Sequence, residues 1–245
     1  MGPDGGHAAK GMRAAEETDM VGIIGAMQQE VREIRAMMTD AVTENAGGVE
    51  FTCGKIGKES VVAAVCGIGK VFAAMCAQAM ILRYRPDCIW NLGVGGALHP
   101  EYRILDLAVA EAVVQHDLDL SPLGIPRGTV MELGIDRIPC DPEWQAKIAS
   151  AAEKAGLHVH RALIASGDTF VASAELKESI RTRFGADVVE MEGAAIGQVC
   201  RVNGVPFCVV RSISDGAGDG GELDYLAFCD AAAKNTAAVV RTLFL

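Results

Sequence analysis

Two carboxylates flank one methionine in Val188-Val189-Glu190-Met191-Glu192-Gly193-Ala194-Ala195, where an apolar run hands over to a helix-forming segment. Side chains alternate along a strand, so Glu190 and Glu192 share one face and Met191 takes the other. Acids at a buried strand end are costly unless they bind something. A solvated edge with two surface glutamates is the competing reading, but Asp187-Val188-Val189 reads as interior. Asp215 ends a second apolar run, Phe207 to Val210 followed by Arg211-Ser212-Ile213-Ser214, just before Gly216 to Gly221. It reads either as a turn cap or as a general acid at a crevice. Arg211, inside that run, calls for a partner, and Glu190 is the nearest in character. Glu30 follows the first apolar run by one helical turn, where a helix-dipole acid is the local expectation.

The elements that must position these groups alternate. Met20 to Gly25 reads as a buried strand and Gln28 to Met38 as a helix. Val49–Ile56 and Ser60–Cys66 read as a hairpin around Gly57-Lys58. Lys70 to Tyr84 is helical and stops before Pro86. Asp87 to Leu92 is a strand ending in Gly93-Val94-Gly95-Gly96, and Leu105 to Val114 is another. A Pro- and Gly-rich loop spans His116 to Gly134. Asp141-Pro142-Glu143 opens a helix with a cap, an N1 proline and a first-turn acid. Strands at 159–165, 188–190 and 206–213 then alternate with helices at 174–184, 193–202 and 223–243. The pattern predicts a single α/β domain, residues 20–245, with a central mixed, mostly parallel sheet flanked by helices. In such folds the ligand crevice lies at the carboxyl ends of the strands. Glu190, Glu192, Asp215, Gly25-Ala26-Met27 and the Gly93–Gly96 run all fall at such ends.

The formal charge is 22 − 32 = −10, with no basic cluster. A nucleic-acid backbone is therefore not expected as partner. Eight scattered cysteines, at 53, 66, 76, 88, 140, 200, 208 and 229, show neither CxxC nor zinc spacing. They imply a reducing, cytoplasmic setting without disulfides. No apolar run reaches the roughly 18 residues of a membrane span. Residues 1–19 are polar, Gly/Ala-rich and lack an apolar core, so a flexible leader rather than a signal peptide is expected. Gly25-Ala26-Met27 is not a dinucleotide loop and Gly67-Ile68-Gly69-Lys70 is not a phosphate loop. Neither cofactor nor metal is expected. His116-Asp117 lacks the serine elbow that a triad would need and reads as a loop-structuring pair.

Gly25-Ala26-Met27-x-x-Glu30-Val31, Gly67-Ile68-Gly69-Lys70, Ser166-Gly167-Asp168-Thr169-Phe170-Val171, Val189-Glu190-Met191-Glu192-Gly193-Ala194 and Val209-Val210-Arg211-Ser212-Ile213-Ser214-Asp215 occur in one order. With them the chain resembles, from Met20 to about Leu243, the bacterial 5′-methylthioadenosine/S-adenosylhomocysteine nucleosidases of the nucleoside phosphorylase superfamily. The resemblance implies that Asp215 serves N7 of an adenine leaving group and Glu30 activates the attacking water. It implies that Glu192 binds the ribose hydroxyls, Met191 packs under the sugar, Phe170 stacks on the purine and Val171 reads its edge. Met27, Val94 and Arg211 join the substrate-binding set. It further implies a homodimer, in which Leu123, Ile125 and Met131 complete the partner's alkylthio pocket.

Two departures accompany the resemblance. Val94 stands where these nucleosidases usually carry Ser, and the loop from Asp117 to Met131 lacks their aromatic residues. Aminofutalosine or 5′-deoxyadenosine therefore stand as alternative substrates. Asn91 and Val94 occupy the places of the Arg and Ser that bind phosphate in related purine phosphorylases, so water is the expected nucleophile. A phosphorylase and a non-catalytic nucleoside-binding protein are the competing classes.

Overall fold

The computed structural model describes residues 20–216 and 222–245. The expected leader, 1–19, and the glycine-rich residues 217–221 lie outside the described residues. The chain runs β1 (Met20–Gly25), α1 (Gln28–Met37), β2 (Thr39–Ala46), β3 (Val49–Ile56), β4 (Glu59–Val65), α2 (Lys70–Tyr84), β5 (Cys88–Ala97), β6 (Leu107–Gln115) and β7 (Ile138–Pro139). It continues through α3 (Pro142–Lys154), β8 (Val159–Ser166), α4 (Ala174–Phe184), β9 (Val188–Glu190), α5 (Gly193–Asn203), β10 (Phe207–Asp215) and α6 (Glu222–Phe244). Local chemistry sets several boundaries. Asp141 accepts from Trp144 N–H at 2.9 Å to cap α3, and Ser173 accepts from Leu176 N–H at 3.2 Å to cap α4.

One mixed sheet results, parallel through its centre (β4-β1-β5-β10) and along β6-β8-β9. Antiparallel pairings join β10 to β6, β5 to β9, β2 to β3, β3 to β4 and β6 to β7, so the parallel character stops at these joins. Because β5 pairs with both β10 and β9, the strands β5-β10-β6-β8-β9 close on themselves into a five-stranded ring. β1, β4, β3 and β2 extend from it as an open wing. Alternation splits the core into two layers. Ile24 and Ile89 face α2 and α5, whereas Val21, Ile23, Cys88, Trp90 and Leu92 lie on the side covered by α1, α3 and α6.

Three elements differ from expectation. β2 has the sequence Thr-Asp-Ala-Val-Thr-Glu-Asn-Ala and lies on the exposed edge, where no apolar period is needed. The two-residue β7 was also not foreseen; it is held by pairing with β6 alone. β5 does not end before Gly93-Val94-Gly95-Gly96 but runs through it to Ala97, entirely buried. The glycines there are sites of close approach inside a strand, not loop residues.

Candidate active site

Glu30 sits in the first turn of α1, 3 % exposed. Ala26 and Met27 donate backbone N–H groups to its Oε2 at 2.7 and 2.9 Å, and Val94 donates to Oε1 at 3.1 Å. Burial raises its pKa, opposed by the charge of Arg211 and by these amides. Space for it comes from β5, because a Cβ at Gly93 would lie 2.6 Å from Glu30 Oε1. Gly96 does the same for Asp215, whose Oδ2 would be 3.0 Å from a Cβ there.

The expected alternation does not reach Glu192, because β9 ends at Glu190 and Met191 lines the same cleft as both acids; the two glutamates nevertheless differ in role. Glu190 closes β9 and lies deep. It pairs with Arg211 and accepts from Ser166 Oγ, from Glu192 N–H at 3.0 Å and from Gly193 N–H at 2.8 Å. Glu192 stands at the head of α5 and accepts from Gly69 N–H at 2.9 Å. The Gly67–Lys70 turn thus enters the site through its backbone. Burial first, and the charge of Glu190 second, push the Glu192 carboxyl up to about 7.

The remaining wall is the Ser166–Val171 segment after β8. Asp168 accepts from Lys70 N–H at 2.8 Å, at the positive end of α2, and donates its own N–H to Asp117 at 2.9 Å. Asp117 also accepts from Lys70 Nζ at 2.6 Å. His116 is buried behind this loop, and burial lowers its pKa. Asp117 therefore braces the loop by tying the Lys70 side chain to the Asp168 backbone, while His116 packs buried beside Gly167.

Met27, Glu30, Val94, Phe170, Val171, Met191, Glu192 and Asp215 line one cleft of about 720 Å³ including its open mouth, together with Ile68, Thr169, Glu190 and Ser214. Phe170 is 47 % exposed at the mouth. Four carboxylates face or underlie the cleft, and no Lys or Arg is among its described lining residues.

Arg211 is not brought to the cleft surface. It is 1 % exposed, and its guanidinium is taken up by Glu190, the Asn91 side chain, and the carbonyls of Asn91 (3.1 Å) and Val210 (3.0 Å). A cation so deep in the sheet is held by its pairing with Glu190, and it lies behind that carboxylate rather than on the cleft surface. Leu123, Ile125 and Met131 do not line the cleft of their own chain, and Leu123 and Met131 are 73 % and 54 % exposed.

One residue of the site was missed in sequence. Lys177 of α4, 2 % exposed, places Nζ 2.7 Å from Asp215 Oδ2 and 2.6 Å from the Gly216 carbonyl. Ser214 Oγ donates to Asp215 Oδ1 at 2.9 Å. The available signal was Lys177 standing three residues before Ile180 and seven before Phe184, on the inward stripe of a helix. A lysine there needs a buried anion.

A family model described as the phosphorylase superfamily matches residues 20–244. The 5′-methylthioadenosine/S-adenosylhomocysteine nucleosidase of Geobacillus thermodenitrificans is 36% identical over 222 residues, covering 90% of this chain and 94% of its own. The Neisseria meningitidis nucleosidase of the same name, solved with methylthio-immucillin-A, superposes with a TM-score of 0.88 at 32% identity, covering 92% and 98% of the two chains. A futalosine hydrolase of Helicobacter pylori superposes with a TM-score of 0.87 at 34% identity, covering 92% and 97%.

Proposed function

The chain belongs to the phosphorylase superfamily, and from that premise we propose that it hydrolyses the N-glycosidic bond of 5′-methylthioadenosine and S-adenosylhomocysteine, releasing adenine and the 5-thioribose product. The observation that carries this reading is the composition of the cleft: Glu30, Glu192 and Asp215 around one space, with no cationic lining residue among those described to hold a phosphate. Breaking the C1′–N9 bond builds positive charge on the sugar and negative charge on the purine. Carboxylates beside the ribose stabilise the former, and a proton held at N7 relieves the latter. Glu30 takes a proton from the attacking water, and three backbone amides fix its orientation. Asp215 serves N7, Glu192 takes the ribose hydroxyls, Met191 lies under the sugar, and Phe170 and Val171 hold the purine.

Residues 20–245 make up the proposed catalytic domain. The enzyme is proposed to act as a homodimer. Val71, Phe72 and Met75 expose an apolar face on α2 beside Ile68 at the cleft mouth. Leu123, Ile125 and Met131 would complete the partner's pocket for the 5′ substituent. The eight cysteines are thiols rather than disulfides, which supports a cytoplasmic location. No helix among the described residues is long and apolar enough to cross a membrane.

The test is adenine release from methylthioadenosine, S-adenosylhomocysteine, 5′-deoxyadenosine and aminofutalosine, each with and without phosphate. Cleavage of the first two without phosphate is expected. Strict phosphate dependence would replace the hydrolase by a phosphorylase, and no turnover of any of them would leave a binding protein. The futalosine hydrolase relative and Val94 together make aminofutalosine the second substrate to watch. Asp215→Asn is expected to abolish adenine release while retaining inhibitor binding, and Glu30→Gln to block hydrolysis.

A further inference from the structure

At the opposite end of β8 from the cleft, two histidines and an aspartate converge. His158 Nδ1 lies 3.2 Å from Asp106 Oδ1, and His160 Nε2 lies 2.8 Å from Asp106 Oδ2. One ligand atom from each of the three falls within 4.8 Å of the others. Donors around a tetrahedral ion at about 2.0–2.2 Å stand a little over 3 Å apart, so only small side-chain movements separate this arrangement from a coordination shell. Two imidazoles and a carboxylate form a donor set suited to zinc and its neighbours in the first transition row, and less suited to calcium or magnesium, which take oxygen ligands.

The ligands stand on fixed backbone. Asp106 is held through its carbonyl by Ile213 N–H at 2.9 Å and through Oδ2 by Arg103 N–H at 2.9 Å. The His158 carbonyl accepts from Leu107 N–H at 2.8 Å, tying the starts of β6 and β8 together. His160 stacks against Tyr102, with ring centroids 3.9 Å apart and planes 15° from parallel, which fixes the imidazole plane. His158 is exposed, so one side of the cluster is open to water for a fourth ligand. The spacing His158-Val159-His160 is no zinc pattern by itself. The carboxylate from the start of β6 completes it, and only the β6–β8 pairing brings that residue near.

We propose that Asp106, His158 and His160 bind a divalent transition-metal ion, zinc by donor chemistry, which clamps the N-terminal ends of β6 and β8. The alternative for the same geometry is two imidazoles hydrogen-bonded to one carboxylate with no affinity for metal. The two differ in what the ring nitrogens carry: a metal needs them bare, a hydrogen bond needs them protonated. The site is roughly 25 Å from the far end of β8, at about 3.3 Å per residue, so its occupancy is separable from catalysis.

The experiment is titration of the metal-free protein with zinc by calorimetry, and with cobalt by visible absorption, alongside His158→Ala and Asp106→Asn. One equivalent is expected to bind, with cobalt d–d bands of a low-symmetry N/O site and a melting temperature that rises with zinc. His158→Ala removes an exposed ring, so the fold is expected to persist while affinity falls by about tenfold or more. Its melting temperature without metal reports the fold directly. Absence of stoichiometric binding by the wild type would overturn the site, and so would unchanged affinity in His158→Ala. Adenine release is expected to be the same with the site filled or emptied by chelator.

Discussion

Arg211 is held principally by Glu190 and only distantly by Glu192, whose Oε2 is 3.8 Å from the guanidinium. The two glutamates of one short segment therefore differ in kind. One neutralises a cation inside the sheet, and the other remains directed at the cleft. Arg211→Met strands the Glu190 carboxylate, and the expected loss is about 3–5 kcal/mol in chemical denaturation. A loss of less than about 1 kcal/mol would mean that the amides and Ser166 alone satisfy Glu190.

Gly93→Ala is expected to displace Glu30, since the new methyl would sit 2.6 Å from its Oε1. If Glu30 activates water, kcat falls by about 10²–10⁴. The double variant Gly93→Ala/Glu30→Gln should then be no slower than Glu30→Gln alone. Additive losses would locate the damage elsewhere.

Lys177 holds Oδ2 of Asp215. Lys177→Met is expected to lower kcat/KM by about 10–100-fold, equivalent to about 1.4–2.7 kcal/mol of transition-state stabilisation. Lys177→Arg keeps a donor and a charge and should recover most of the loss. Steady-state kinetics with melting curves of both variants checks this. Equal rates in wild type and Lys177→Met would reduce the contact to packing.

The Glu192 carboxyl is raised from the ordinary 4.5 to about 7. Between those values the folded state binds a proton that the unfolded chain has lost. Its contribution to stability is therefore present below pH 4.5 and is lost as pH rises through 7. Wild type should lose melting temperature relative to Glu192→Gln between about pH 5 and pH 8. A constant difference across that range would contradict the shift.

Sequence by itself determined the alternation of strands and helices, the positions of Glu30, Glu192 and Asp215 near their ends, and the need of Arg211 for an acidic partner. Each rests on local periodicity or on residue types that are costly in an apolar run. It did not determine β2, whose polar edge residues carry no period, nor the continuation of β5 through its glycines. Nor did it determine the closure of β5-β10-β6-β8-β9 into a ring, which depends on pairings between strands distant in the chain. Lys177 on Asp215, Gly69 on Glu192 and Asp106 beside His160 are contacts across 38, 123 and 54 residues. Such contacts leave no local pattern. They exist because the sheet register places their backbones together, and only the folded chain fixes that register.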